Sequence, residues 1–233
     1  MRFGPLANES ENYRKIREEL FEAEVALRDQ RERVAALRRK LPLDTNVKDY
    51  VFQEGPADLD QDGPITEVRL SELFTKPDEA LVVYQYMYGG AQTKPCPMCT
   101  LWVDGFNGIG HHLQQRLNFA IIAQAGIGEL RKWARSRDWR KLRLISSAGT
   151  EFKTDLHFSD AAGAQWPGVS AFSRSPDGSV KHFYSNSAQM EDAKRTRGID
   201  LLTPFWNILD LTPEGRKEWT PKLEYGRANV QKH

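Results

Sequence analysis

The amino-acid sequence predicts an α/β protein in which a central mixed sheet is flanked by helices and preceded by a long helical arm. Three observations lead to this fold class. Residues 1–42 carry one continuous helical pattern, and residues 81–146 alternate between strand and helix patterns. A β-hairpin pattern follows over residues 169–184.

The arm over residues 1–42 is predicted to be one amphipathic helix. Asn8 and Glu11 have the spacing of a capping box, and Pro42 ends the pattern. An apolar stripe at spacings of three and four can lie on the protein's own sheet domain or pair with the arm of a second subunit. We predict a homodimer through this helix. The stripe comprises Tyr13, Ile16, Leu20, Ala23, Leu27, Val34, Leu37 and Leu41.

The segment that follows the arm, residues 43–64, is rich in Asp, Gly and Pro and lacks periodicity. It is predicted to be a connector with one short strand near residues 50–52. Residues 68–70 and 81–88 read as strands, and the second is long enough to be central in the sheet.

The rest of the chain, residues 65–233, is predicted to be a thioredoxin-like domain with a C-terminal extension. A parallel β-α-β start followed by an antiparallel pair is the thioredoxin arrangement. The predicted elements are a helix over 100–112, a buried parallel strand over 117–123, a helix over 127–137, a short strand over 141–146, and hairpin strands over 169–174 and 180–184.

Net charge and the absence of long apolar runs narrow the binding partners and the cellular location that we expect for the protein. The formal net charge of +1 gives no overall field that would attract nucleic acid or an anionic membrane. No apolar run reaches the roughly 20 residues of a spanning helix, and the N-terminal region lacks the apolar segment of a signal peptide. We therefore expect a cytoplasmic protein. Stable disulfides are rare in that compartment, so two cysteines three positions apart indicate redox or metal chemistry.

The cysteine pair, Cys96 and Cys99, follows a predicted central strand and begins a predicted helix. Unpaired backbone N–H groups and the helix dipole at such a position stabilise a thiolate on the first cysteine. Pro97 suits the first helical turn because it has no N–H to lose there. Cys99 lies about one turn further along the same face, within bridging reach. We expect Cys96 to attack a disulfide or peroxide and Cys99 to resolve the intermediate.

Two other interpretations of the pair remain open. A zinc site would need two more ligands, for which His111 and His112 are the nearest candidates. The cysteines can also be two small buried hydrophobic residues without chemistry. A haem attachment motif is excluded because Thr100 follows Cys99 where that motif requires histidine.

The segment from Cys96 to Cys99, together with Trp102 and the run from Asp104 to Gly108, resembles the bacterial thioredoxin-like family named domain of unknown function 899. Weaker similarity extends over residues 38–42, 168–172 and 209–213. The resemblance implies a thioredoxin fold with a dithiol motif, and it implies no particular substrate.

Better-known relatives suggest two further positions. Thioredoxins place a cis proline just before the strand that faces the active site. Aligning residues 168–170 with that turn puts Ser170 at the proline position, with Pro167 three residues too early. Peroxiredoxins carry a threonine three positions before their reactive cysteine, and Thr93 has this spacing from Cys96.

The candidate catalytic residues are therefore Cys96, Cys99, Thr93 and Asp104. Thr93 is expected to hydrogen-bond the Cys96 thiolate or a bound peroxide, unless it only caps the helix. Asp104 is expected to exchange a proton with Cys99, unless it is simply hydrated. We expect no metal and no cofactor. The predicted function is thiol–disulfide oxidoreductase acting on a protein or small-molecule disulfide. A thiol peroxidase using Cys96 and a non-catalytic binding module are the alternatives.

Overall fold

The computed structural model describes residue 4, residues 6–189 and residues 197–224. The chain divides into two compact units, Met1–Pro42 and Leu43–His233. The first unit contains one long helix, and the second contains the sheet and the shorter helices.

The helix of the first unit is α1 (Glu11–Arg38). Its N-cap is Ser10, whose hydroxyl accepts a hydrogen bond from the Tyr13 backbone N–H at 3.1 Å. The capping box predicted at Asn8 is therefore wrong, because Asn8 lies in a turn and the chain becomes helical only after Ser10. The long helix itself is confirmed. No residue of α1 is buried, and its larger stripe residues are about half exposed: Tyr13, Ile16, Leu20, Leu27 and Leu37.

The second unit is built on one eight-stranded mixed sheet with the strand order β1-β8-β7-β4-β5-β6-β2-β3. The strands are β1 (Thr45–Asn46), β2 (Val51–Glu54), β3 (Thr66–Arg69), β4 (Leu81–Gly89), β5 (Asn118–Gln124), β6 (Arg143–Ser146), β7 (Gly168–Arg174) and β8 (Val180–Ser187).

Strand pairing confirms the predicted α/β arrangement. Strands β4, β5 and β6 run parallel, β7 is antiparallel to β4, and β8 is antiparallel to β7. The short strand predicted near residues 50–52 is β2. It forms a ladder with β3 and also pairs with β6, which extends the sheet on that edge.

Within the described residues, five shorter α-helices accompany the sheet: α2 (Pro97–Gly108), α3 (Gly110–Arg116), α4 (Ile127–Ser136), α5 (Phe152–Asp155) and α6 (Pro204–Leu209). The single helix predicted over 100–112 is wrong in its bounds, since it begins at Pro97 and is interrupted at Ile109. A side chain at Gly110 would meet Lys141 at 2.7 Å, so this junction is set by packing from a distant part of the chain. The short helix α5 was not predicted.

Strand β4 supplies side chains to the apolar clusters on both faces of the sheet. Leu81 and Val83 pack into one cluster with Phe152 of α5. Tyr84 and Tyr86 pack into the other cluster, which also contains the first turns of α2. Burial on both faces is what a central strand of such a sheet requires. The segment that leads to Cys96 therefore follows a strand that is buried on both faces.

Candidate dithiol site

The two cysteines lie at the strand-to-helix junction where the sequence predicts them. Strand β4 ends at Gly89, a short loop follows, and Cys96 is the N-cap residue of α2 with extended backbone angles. The Cys96 backbone N–H donates to the carbonyl oxygen of Met87 at 3.1 Å, which fixes the start of the helix against the end of β4. Pro97 occupies the first turn, where its missing N–H removes no helical hydrogen bond.

The two thiols differ in exposure. Both cysteines are free thiols, and Cys96 is 8% exposed while Cys99 is fully buried. The Cys96 sulfur accepts a hydrogen bond from the Cys99 backbone N–H at 3.4 Å. Cys96 is therefore the sulfur that an external molecule reaches first, and Cys99 lies behind it.

The pKa values of the two thiols shift in opposite directions. The pKa of Cys96 is lowered to about 7, chiefly by a hydrogen bond from the Cys99 thiol and also by the backbone N–H groups of Cys99 and Met98, against the opposing effect of burial. The pKa of Cys99 is raised well above its usual range, first by burial and then by its interaction with Cys96. At neutral pH the pair therefore holds its thiolate on Cys96.

Two tyrosines of β4 lie beneath the cysteines, and neither was predicted as a site residue. The Tyr86 hydroxyl bonds to Thr100 Oγ1 at 2.8 Å and accepts from Trp133 Nε1 at 2.9 Å. Among the described residues, the buried Tyr84 hydroxyl has no hydrogen-bond partner of normal geometry, but it interacts with the Cys99 thiol. Burial, followed by the charge of Cys99, raises the pKa of Tyr84. Strand alternation places both tyrosines on the face that α2 covers, and this signal was available in the sequence.

A buried lysine also belongs to this region. Lys153 of α5 is fully buried, and its Nζ donates to the Tyr86 carbonyl oxygen and to Gln165 Oε1, each at 2.9 Å. Burial lowers the pKa of Lys153 to about 7, and the charge of Cys99 acts in the opposite direction. No sequence pattern singles out this lysine, because the fold brings it to the dithiol from a distant segment.

The other two predicted site residues lie apart from the sulfurs. Thr93 is exposed in the loop before Cys96, and within the described residues no hydrogen bond joins its hydroxyl to either sulfur. Asp104 binds the Arg137 guanidinium and accepts a hydrogen bond from Trp139 Nε1 at 2.8 Å. The roles predicted for Thr93 and Asp104 stay predictions.

The residue that directly precedes β7, where a cis proline was expected, is not Ser170. Strand β7 begins at Gly168, so Pro167 directly precedes it, while Ser170 lies inside the strand opposite Val83. Placing Ser170 at the turn was therefore wrong by three residues. Every peptide bond in the described ranges is trans. The buried Ser170 hydroxyl instead binds Gln85 Nε2 at 3.3 Å and Ser185 Oγ at 2.9 Å.

The zinc interpretation finds no ligand set in the described part of the chain, where no three His, Cys, Asp or Glu side chains converge. His111 and His112 are exposed on α3, with their ring centroids 3.9 Å apart.

A cavity of about 690 Å³ lies on the exposed side of α2, between this helix and the C-terminal extension. Its volume is in the usual range for a small-molecule site. Most of its lining is apolar, with Asp104, Lys222 and Glu224 among its polar members. The principal apolar lining residues are Pro97, Leu101, Phe205, Ile208 and Trp219.

A mixed sheet with a cysteine pair at the start of the helix after its central strand defines a thioredoxin-fold protein. Solved structures agree with this class. The Plasmodium falciparum antioxidant protein, a 1-Cys peroxiredoxin, is 14% identical with a TM-score of 0.51, and the match covers 72% of this chain and 99% of that one. AhpC from Enterococcus faecalis is 15% identical with a TM-score of 0.44, over 65% of this chain and 86% of that one. The match to the Plasmodium protein, at 14% identity, establishes the fold alone.

The family follows from the sequence. The profile of DUF899, bacterial proteins of unknown function, matches residues 4–232, and the chain belongs to this family. A comparison with curated proteins gives no significant match. None of the helices in the described ranges is long and apolar enough to cross a membrane.

Proposed function

We propose that this protein is a thiol–disulfide oxidoreductase in which Cys96 is the nucleophile and Cys99 the resolving thiol. The observation that carries the proposal is the contrast between the two sulfurs. Cys96 is the more accessible sulfur, and its pKa is lowered to about 7, whereas Cys99 is fully buried and protonated. Because the thiolate is the attacking form, this contrast gives each cysteine a distinct role.

The reaction proceeds by two exchanges. The Cys96 thiolate attacks one sulfur of a substrate disulfide, a bond forms between them, and the other substrate sulfur leaves as a thiolate. Cys99 then loses its proton and attacks Cys96, which releases the second substrate thiolate and forms the Cys96–Cys99 disulfide. The substrate gains the two electrons that the cysteine pair loses. The cysteines carry these electrons themselves, so the exchange requires neither metal nor cofactor.

The substrate class is a disulfide of a protein or a small molecule, as the sequence predicts. The cavity beside α2 favours a substrate that carries apolar groups next to its disulfide. Pro97 and Leu101 of α2, the helix that begins at the cysteine pair, are part of the cavity lining. Stable disulfides are rare in the cytosol, where a reactive dithiol can be kept reduced, so we also propose that the protein acts in the cytoplasm.

The test is single-turnover reaction with an aromatic disulfide such as dithiobisnitrobenzoate. Reduced wild-type protein should release two thionitrobenzoate ions in sequence, one for each exchange. Cys96→Ser should abolish both releases, and Cys99→Ser should give one release and a stable mixed disulfide detectable by mass. Full activity in Cys96→Ser would contradict the role assignment.

A thiol peroxidase using the same Cys96 is the second candidate, and the spacing of Thr93 is its support. The exposed position of Thr93 favours disulfide exchange over this alternative. Peroxide consumption separates the two. A peroxidase should consume hydrogen peroxide with a rate that falls in Thr93→Val, whereas a disulfide oxidoreductase should react with dithiobisnitrobenzoate equally well in that variant. A non-catalytic binding module should show neither reaction.

We further propose that the protein forms a homodimer through α1. The support is the apolar stripe at heptad-like spacing, of which Leu20 and Leu27 are 55% and 52% exposed. Leu20→Asp combined with Leu27→Asp should convert a dimeric mass in light scattering to a monomeric one, and Glu19→Gln combined with Glu24→Gln is the matched control. A monomeric wild-type protein would rule out the dimer.

A further inference from the structure

The cavity between α2 and the C-terminal extension begins next to the dithiol. Pro97, which directly follows Cys96, and Leu101, one turn further on, form part of its wall. Thr100 also lines the cavity, and its hydroxyl donates to the Cys96 carbonyl oxygen at 2.9 Å. The first turn of α2 therefore contributes both the proposed nucleophile and one wall of the cavity.

We propose that this cavity binds an uncharged, largely apolar small molecule that carries the disulfide reduced at Cys96. The inference rests on the proposed function and names the substrate class of its first step. The cavity volume of about 690 Å³ offers room for a whole organic molecule, since small-molecule sites typically measure about 300–1,000 Å³.

The part of the wall that does not come from α2 is largely apolar and aromatic. Phe205 and Ile208 of α6 and Trp219 of the extension contribute to it. The ring centroids of Phe205 and Trp219 are 5.0 Å apart, so the two rings form one continuous aromatic surface. Ile208 and Trp219 are each about half exposed. A ligand that covers them removes apolar surface from water, which favours binding.

The charged side chains of the cavity balance one another. Asp104 is bound by the Arg137 guanidinium, and Lys222 and Glu224 carry opposite charges. The Thr203 hydroxyl is also engaged within the protein, because it caps α6. The lining therefore presents no excess of one sign that would attract an anion or a cation, and a neutral ligand suits it best.

Gly105 is a second indication that this space receives a ligand. It lies in the interior of α2, where glycine destabilises a helix relative to alanine. An added Cβ would meet Thr203 Oγ1 at the ordinary contact distance of 3.7 Å, and the backbone of Gly105 does not have a positive φ. Neither a clash nor the backbone conformation therefore requires glycine here. Because Gly105 lines the cavity, its missing side chain adds to the open volume.

The extension that closes the cavity is held in place before a ligand binds. Arg137, at the end of α4, donates to the Leu223 carbonyl oxygen at 3.1 Å and binds the Asp104 carboxylate of α2. One guanidinium therefore joins α2 to the extension beside Lys222, which lines the cavity. A site whose walls are already fixed loses less conformational freedom on binding.

The test uses dipyridyl disulfide, an uncharged aromatic disulfide, as the probe. The Cys96 thiolate forms a bond to one probe sulfur, and the other sulfur leaves as a pyridinethiolate that takes up a proton to become the thione. Cys99 then displaces the second pyridinethiolate, so the probe gains the two electrons that the cysteine pair loses. The rate of the first thione release is measured against probe concentration. It should saturate in the wild-type protein, because binding precedes exchange.

Gly105→Leu, which fills the cavity, should raise the half-saturating concentration at least about tenfold, because burial of an aromatic group contributes that much or more to a binding constant. Gly108→Leu is the matched control on the same helix. Gly108 is outside the cavity lining, and no heavy atom of the described chain lies within 4 Å of an added Cβ, so this variant should keep the wild-type value. Hydroxyethyl disulfide, which has no aromatic group, should react equally fast in all three proteins.

Different outcomes separate the two proposals. A linear concentration dependence in the wild-type protein, or an unchanged half-saturation in folded Gly105→Leu, would overturn the cavity site and leave the oxidoreductase intact. If Gly105→Leu slowed the reduction of insulin but not that of dipyridyl disulfide, the cavity would receive a protein side chain and the small-molecule site would be wrong. No reaction with either small disulfide would overturn the oxidoreductase itself.

A binding measurement keeps the site testable if Gly105→Leu does not fold. Dipyridylethane, in which two methylene groups replace the two sulfurs, cannot undergo exchange. It should bind the wild-type protein in calorimetry, and Ile208→Asp, a change at a half-exposed position of the wall, should weaken that binding. No binding to the wild-type protein, or equal binding in Ile208→Asp, would refute the cavity site whatever the activity of the dithiol.

Discussion

The first turn of α2 and the space beneath it have opposite effects on the pKa of a cysteine thiol. In the first turn, Cys96 has backbone N–H groups directed at its sulfur and some access to solvent. Beneath it, Cys99 is enclosed by the tyrosines of β4 and is fully buried. Three positions in sequence therefore separate a thiol with a lowered pKa from one with a raised pKa.

This difference shows that the roles of the two cysteines depend on residues outside the four-residue motif from Cys96 to Cys99. The N–H donors come from the helix terminus, which the sequence places correctly. The enclosure of Cys99 comes from a buried cluster that includes Tyr84 and Tyr86 of β4 and residues of β5 and α4, which reach the site through the topology of the sheet. The comparison can be tested by changing one environment while the other is preserved.

The largest expected effect is a contrast in alkylation. With iodoacetamide below neutral pH, Cys96 should react roughly 100-fold faster than Cys99 or more, because each unit of pKa difference changes the thiolate fraction tenfold. Peptide mapping by mass spectrometry measures both sites in one sample. The contrast should vanish in denaturant, where both thiols have the same surroundings.

The pH profile gives the sign of the Cys96 effect. Because the pKa of Cys96 is lowered to about 7, its alkylation rate should rise with pH to a midpoint near 7 and level off above it. The same profile in Cys99→Ala should move to higher pH, since the hydrogen bond from the Cys99 thiol is the largest cause of the lowered value. An unchanged midpoint in that variant would show that the helix terminus acts alone.

The sequence predicts the frame of the fold well because its signals are local. The apolar runs that became β4 and β5 and the turn around Asp177 and Gly178 each carry their own pattern. The parallel pairing of β4 with β5 across a helix then follows from the preference for right-handed connections. The position of Cys96 at a helix start is likewise local, because Pro97 and the preceding strand indicate it.

The parts that the sequence misses depend on contacts between distant segments. At the interruption of the helix near Ile109, Gly110 allows a close approach of Lys141 that a side chain would block. The burial of Lys153 and its bond to the Tyr86 carbonyl arise only when α5 docks against β4. A lysine in a short polar segment has the pattern of a surface residue, so periodicity alone could not assign it to the site.

The smallest expected effect separates the two tyrosines under the dithiol. Tyr86→Phe removes the partner of Thr100 Oγ1 and Trp133 Nε1, and we expect it to lower the free energy of unfolding by about 1–3 kcal/mol, the usual cost of an unsatisfied buried polar group. Tyr84→Phe removes a buried hydroxyl that makes no hydrogen bond of normal geometry, so it should change stability by less than about 1 kcal/mol.

Urea unfolding of the two variants, made as a matched pair, measures this difference in stability. The pH midpoint of Cys99 alkylation is a second measurement. Tyr84→Phe also removes the interaction that lowers the pKa of Cys99. It should therefore slow the second thionitrobenzoate release a little while leaving stability almost unchanged. Equal losses of stability in both variants would mean that the Tyr84 hydroxyl has a strong partner in solution. The enclosure of Cys99 would then be more polar than the contacts of Tyr84 indicate, and the contrast between the two thiols correspondingly smaller.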